Sequence, residues 1–362
     1  VAALFNLTMI GRVTILDPAV DAGYVYAMLL FLSYNVRSDT QVVGPLQSGK
    51  TYILIGLYGA FSDRARIALD ESEGLFNALR DVANKMPGAG FELPSTEEYD
   101  RFWLHYDAGS LFPVRVKFDT YDHRGEYLPD RLAPAARASK SIRERVEYFL
   151  LSIREQLADR SLLSPLSDQT QLAKFTYDVL NAEQLVVVID LNRVINSQSG
   201  RPHIEELRQV ATEVKQNRGD VIIVATKTDI LLREFAEDNI DTLDASKIPV
   251  LPEASGSEYA DLLTETGVDG GRPVHAESVF ASESEYGAFA KEVTDWLARQ
   301  YNDQMPNLLQ LSDEPVVFPV FYRTQVTEDA TAGNSAKPLL DEGNNLQPVG
   351  FEYLAERLEI DR

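Results

Sequence analysis

Apolar positions along this chain fall into two alternating periods, and their order predicts a layered α/β molecule. Apolar runs of strand length occur at Thr40-Gln41-Val42-Val43, at Gln184 to Ile189 and at Val221-Ile222-Ile223-Val224-Ala225. Continuous β-branched runs of this kind suit strands of a parallel sheet covered on both faces. Pro113-Val114-Arg115-Val116-Lys117-Phe118 instead alternates apolar with polar, the pattern of a half-buried strand. Arg101 to Tyr106, followed by the turn residues Asp107-Ala108-Gly109-Ser110, supplies a partner, so 101–119 predicts an antiparallel hairpin ending at Asp119-Thr120. A last strand reads over Glu314 to Tyr322.

Between the strands the period lengthens to that of a helix. Residues 51–61 bring Leu54, Leu57 and Tyr58 to one face, and 202–218 does the same with Ile204, Leu207, Val210, Ala211 and Val214. Helices also read over 286–301 and 350–358, the second introduced by Gln347-Pro348-Val349. Two more, Ser141 to Leu157 and Thr170 to Asn181, precede the Gln184 strand. Core packing accounts for the stripe Ile142, Val146, Phe149, Leu150, Ile153 and Leu157 on the first of them. The order predicts a three-layer α/β fold: a mostly parallel sheet with one antiparallel strand and helices on both faces.

Two regions stand apart from this alternation. Residues 1–37 read as an apolar N-terminal extension to a domain over 38–362; neither Val1 to Ile15 nor Gly23 to Tyr34 approaches the ~20 residues of a membrane span. Tyr24 to Leu32 is expected as a helix or strand at the core's edge, with a membrane-proximal or interface role as the alternative. The chain begins with Val, so sequence preceding it is a further route to membrane association. Residues 231–284 are acidic, with turn signals at Pro252, Gly256 and Gly270-Gly271, and read as an insertion.

Chemistry enters at Gly44-Pro45-Leu46-Gln47-Ser48-Gly49-Lys50-Thr51, which fits the phosphate-cradling pattern GxxxxGK[ST] at every fixed position. Glycines let the backbone turn so that amides from Gln47, Ser48, Gly49 and the helix start at Thr51 and Tyr52 aim at phosphate oxygens. Lys50 adds a cation for the β and γ phosphates, and Thr51 offers its hydroxyl to Mg²⁺. The strand before the loop and the helix after it are the context an anion at a helix N-terminus requires.

The Val221 strand ends directly in Thr226-Lys227-Thr228-Asp229. This resembles the guanine-reading NKxD motif in the TKxD form of dynamin-like and some prokaryotic GTPases. A carboxylate at Asp229 can accept from guanine N1–H and N2–H₂, a donor pair adenine lacks, so the wrong base leaves the charge unpaired. The resemblance lays the Lys227 stem along the purine and gives Thr226, in place of Asn, the bracing of the loop.

The hairpin end stands where such GTPases carry DxxG. Asp119 and Thr120 match, and Gly125 then falls three positions late, which predicts that Tyr121 to Arg124 bulge outward. On this reading Asp119 holds Mg²⁺ through water, and Gly125 and Glu126 lie beside the γ-phosphate and the attacking water. Thr96 is the first-switch ligand to Mg²⁺ by position, with helix capping by Ser95 or Thr96 as its alternative role. The last guanine-contacting loop belongs after Val274-His275-Ala276-Glu277-Ser278 or at Tyr322-Arg323-Thr324; one helix per strand favours the second, and with it Arg323.

Over about residues 38 to 360 the chain resembles P-loop GTPases of the translation-factor-related, Ras-like class. It is most like prokaryotic members with a GPxxSGKT loop and a PVGxE-like helix start, here Pro348-Val349-Gly350-Phe351-Glu352. The resemblance implies binding of GTP and GDP with Mg²⁺, slow hydrolysis, and a role as a switch or assembly factor. The helices over about 140–181 enlarge the switch-two region, where an effector or a second protomer would dock. Two other readings stay open: a nucleotide-gated module without hydrolysis, and an ATPase of the signalling or defence type in which Asp229 only caps a helix.

Composition narrows the setting. Among 362 residues there is no cysteine, so disulfides and thiolate metal sites are excluded; the four histidines show no metal-ligand spacing. The net charge is −22 and Arg outnumbers Lys by 24 to 10, with acids spread along the chain, a pattern that looks haloarchaeal and cytoplasmic. No basic cluster exists to release counterions from a nucleic acid, so none is expected as a partner.

Overall fold

The computed structural model describes residues 36–64, 70–71, 99–108, 114–123, 125–138, 168–196, 202–236, 240, 243–248, 280, 282–322, 324–329, 333–338 and 348–360. Its elements run in chain order as β1 (Val36–Val43), α1 (Lys50–Arg64), β2 (Asp70–Glu71), β3 (Tyr99–Ala108), β4 (Val114–His123), a wide helical turn at Leu128–Leu132 continuing into α2 (Ala133–Arg137), and α3 (Asp168–Leu180). There follow β5 (Gln184–Asp190), α4 (Leu191–Ile195), α5 (Ile204–Gln216), β6 (Asp220–Thr226), α6 (Thr228–Ala236), α7 (Glu283–Gln300), α8 (Gln304–Leu309), β7 (Val317–Pro319) and β8 (Phe321–Tyr322). Last come β9 (Thr324–Asp329), β10 (Gly333–Pro338), β11 (Pro348–Val349) and α9 (Phe351–Ile360).

Seven strands form one sheet in the order β2-β3-β4-β1-β5-β6-β7. From β4 to β7 every neighbouring pair is parallel, while β3 runs antiparallel to both β4 and the short edge strand β2. The hairpin is the expected one, and helices cover both faces, as the alternation of periods predicts. β5 is buried along its whole length and β6 from its second residue onward, which is why both read as unbroken apolar runs. Helix α5 buries the predicted stripe of Ile204, Leu207, Val210, Ala211 and Val214.

Three boundaries differ from the sequence reading. β1 begins at Val36, inside the stretch assigned to the extension; the rest of that stretch lies outside the described residues. The strand read over 314–322 is two: β7 pairs with β6, and β8 turns away to pair with β11. Pro319 has no N–H with which to extend the ladder, and the Val320 amide reaches back to the Ala225 carbonyl at 2.8 Å instead. The acidic insertion opens as a helix, because Leu231 and Leu232 in α6 are buried. Ser141 to Leu157, Val274 to Ser278 and Gly270-Gly271 lie outside the described residues.

α9 closes the fold against α1, with the Phe351 ring in the space above Gly56, where a Cβ would come within 2.4 Å of it. At the opposite end of the sheet from the loops, Gln184 bonds Thr40 at 3.0 Å and the Leu358 carbonyl at 3.4 Å, and Arg357 pairs with Asp220 at 2.7 Å. These polar contacts tie the strands' N-terminal ends to α9. Among the described residues no helix is long and apolar enough to cross a membrane.

Candidate nucleotide-binding site

Five parallel strands share one direction, and three of them, β1, β4 and β6, deliver the candidate residues. β1 runs straight into Gly44. Gln47 and Gly49 take left-handed backbone angles, φ 57° and 85°, on either side of Ser48. Alternating hands of this kind turn successive amides toward one side and make an anion-binding concavity. Lys50 opens α1 and folds back over the loop, its ammonium donating to the carbonyls of Gly44 at 3.3 Å and Pro45 at 3.2 Å. It is 6% exposed, so a cation is held at the loop's mouth. Thr51 and Tyr52 follow, both half-buried.

The segment 226–229 lies against the glycine loop. Thr226 at the end of β6 donates through its hydroxyl to the Ser48 carbonyl at 2.7 Å, and a Cβ on Gly49 would stand 3.9 Å from the Thr226 side chain. This bond ties the end of β6 to the glycine loop. Lys227 is left-handed, φ 57°, and its ammonium lies 2.8 Å from Asp190. Thr228 bonds the Ala225 carbonyl at 3.2 Å as α6 begins, and Asp229, 9% exposed, sits in that helix's first turn.

The hairpin end differs from expectation. β4 does not stop at Asp119-Thr120: Tyr121, Asp122 and His123 stay in register opposite Arg101, Asp100 and Tyr99. The bulge over Tyr121 to Arg124 is thus absent through His123; Arg124 lies outside the described residues. Main-chain pairing with β3 carries the strand past the point where its apolar alternation fades. The parallel register sets Asp119 level with Asp39, four residues short of the end of β1, or roughly 13 Å at ~3.3 Å per residue. The pairing of β1 with β4 ends at that pair, and Asp122 lies three residues further along β4. Asp122-His123-Arg124-Gly125 also has the DxxG spacing, so Gly125 is not displaced when counted from Asp122.

Gly125 packs directly on the phosphate loop. A Cβ there would fall 1.9 Å from the Leu46 nitrogen and 2.1 Å from its Cα, so only glycine permits this approach. The segment after it is anchored: Leu128 and Leu132 are fully buried, and the Tyr127 ring lies 6.0 Å from Phe175 of α3. Glu126 is half-buried and its carbonyl accepts from Asp130 at 3.1 Å.

Near the far side of α1, Tyr322 donates to the Tyr52 carbonyl at 2.5 Å, and burial pushes its phenol well above the ordinary range, so it stays a donor at any working pH. The chain leaves Tyr322 beside the first turn of α1; Arg323 itself and Thr96 lie outside the described residues. Two site-adjacent residues escaped the sequence reading, Asp190 and Arg193. The register that sets Asp190 beside Thr226 would have pointed to the first. Among the described residues no three His, Asp or Glu side chains cluster as a metal site. Mg²⁺ does not require such a cluster, since it binds through one or two side chains together with phosphate oxygens and water.

No family model matches the chain, and no curated protein matches it. Among solved structures it is similar to the septin GTPase domain from Chlamydomonas reinhardtii, at 10% identity over 84% of this chain and 85% of that one, with a TM-score of 0.27.

Proposed function

We propose that this chain binds GTP and GDP with Mg²⁺ and hydrolyses GTP slowly, as a molecular switch or assembly factor. The observation that carries the reading is the 2.7 Å bond from Thr226 to the Ser48 carbonyl, which joins a base-reading loop to a phosphate loop in one site. Lys50 and the amides of Gln47 to Tyr52 would hold the β and γ phosphates, and Asp229 would read the guanine edge. Thr51 and, on the strand register, Asp122 rather than Asp119 would hold Mg²⁺, whose charge stabilises the transferring phosphoryl group. Thr96 remains the first-switch candidate and Arg323 the one for the second base-contacting loop.

Slow turnover follows from Glu126. It occupies the position after the glycine, where an amide side chain can both accept from water and donate to the phosphoryl oxygens. A carboxylate can only accept, and it repels the phosphate. Single-turnover hydrolysis by dilute chain is expected near the intrinsic ~10⁻⁴ s⁻¹ of unassisted GTPases, and to require Mg²⁺. A rate near ~1 s⁻¹, or one indifferent to Mg²⁺, contradicts this. An effector or second protomer docking near α3 is the proposed route to faster turnover.

One observation favours a second reading. Asp229 sits in the first turn of α6, where a carboxylate stabilises a helix without touching any base. The chain would then be an ATPase or an unselective triphosphate binder, and equal affinity for ATP and GTP identifies that case.

A further inference from the structure

The end of β5 holds a buried ionic group that the reading above leaves unused. Asp190 lies opposite Thr226 in the parallel register, and its side chain is 1% exposed. Its Oδ1 accepts from the Asn192 amide at 3.0 Å, opening α4. Its Oδ2 lies 2.8 Å from Lys227 Nζ and 3.5 Å from Arg193 Nε. The same guanidinium reaches the other way, donating through Nη2 to the Leu46 carbonyl at 2.5 Å. Leu46 is also the residue on which Gly125 packs.

One carboxylate and one guanidinium therefore span from the base-reading loop to the phosphate loop. The span has a physical reason at each end. Lys227 is a non-glycine residue in the left-handed region, a conformation that persists only when its surroundings hold it. Leu46 directly precedes Gln47, the left-handed non-glycine residue of the phosphate loop. A carboxylate as buried as Asp190 needs a cation, and it has two, one directed to each loop. Only a forked cation serves the arrangement: Nε faces Asp190 while Nη2 faces Leu46, a division that a single ammonium cannot make.

Resting on the guanine reading of Thr226 to Asp229, we propose that Arg193 and Asp190 are positioning residues that couple the two loops, so that Arg193 governs guanine selectivity from the phosphate side without touching the base. On this account a change in the Leu46 peptide, as when Gly125 closes on a bound nucleotide, is passed through Arg193 and Asp190 to Lys227.

The test uses the full chain with Arg193→Ala and Arg193→Lys. Lysine keeps a cation beside Asp190, and with it the fold, but gives up the Leu46 contact. Competition binding of GTP and ATP is expected to show the GTP-to-ATP affinity ratio falling at least threefold in both variants. Nucleotide-free amide exchange is expected to quicken at residues 226–229 as well as at 44–50. A selectivity ratio is not moved by a general loss of stability, so a lower melting temperature alone does not mimic the result. Wild-type ratio and wild-type exchange at 226–229 in Arg193→Lys overturn the coupling. If the unaltered chain prefers neither nucleotide, the guanine reading fails, and the exchange at 226–229 still decides whether the loops are coupled.

Discussion

Asp229→Asn is expected to weaken GTP binding by about 100-fold and to turn the preference toward xanthosine triphosphate. The native carboxylate would accept from guanine N1–H and N2–H₂, and hydrogen bonds to a charged group contribute ~1.5–3 kcal/mol each. An amide keeps one acceptor, presents a donor to the amino group and removes the charge. Xanthine carries an oxygen at C2, an acceptor that meets the N–H₂ of the substituted side chain, which would repel the guanine amino group. The exchange is nearly isosteric in the first turn of α6, where Asp229 is 9% exposed, so the fold should persist apart from a small loss of helix stabilisation. Fluorescent-nucleotide competition with the three triphosphates measures this. A variant that still prefers GTP removes Asp229 from the base site.

Lys50→Ala is expected to lower triphosphate affinity by tenfold to about 150-fold, the equivalent of one charge-assisted contact of ~1.5–3 kcal/mol. The ammonium is held by the Gly44 and Pro45 carbonyls at 3.3 and 3.2 Å. Those carbonyls belong to buried Gly44 and Pro45 and lose one donor in the variant, a cost of about 1–3 kcal/mol that an extensive apolar core can bear. Folding should therefore survive while the ligand effect does not. Thermal unfolding with GTP and Mg²⁺ reads both at once, because a ligand raises stability by RT ln(1 + [L]/Kd). The variant should melt somewhat below the parent without ligand and gain far less with it. Full ligand stabilisation in Lys50→Ala would show that the phosphates bind elsewhere.

Much of this architecture was legible because burial imposes period on sequence. The unbroken apolar runs of β5 and β6 and the stripe on α5 report surfaces that are buried. The hairpin's far end was not legible, since Asp119 to His123 is held by main-chain pairing with β3 and carries no apolar pattern. Nor does any local pattern encode the approach of Gly125 to the Leu46 backbone. The break at Val320 was hidden in a similar way: the apolar run continues through Phe321 and Tyr322, although their pairing partner is β11, far along the chain. Asp190, Arg193 and Lys227 meet only because two strands lie in register, a contact across 37 positions that no local pattern encodes.

The central claim is that Thr226 to Asp229 reads guanine beside a phosphate loop. Equilibrium competition between GTP and ATP for the purified chain, in high salt with Mg²⁺, tests it most directly. GTP should bind at least tenfold more tightly, a discrimination of about 1.4 kcal/mol that a single misplaced charge on the wrong base readily supplies. Equal affinities for the two nucleotides would contradict it.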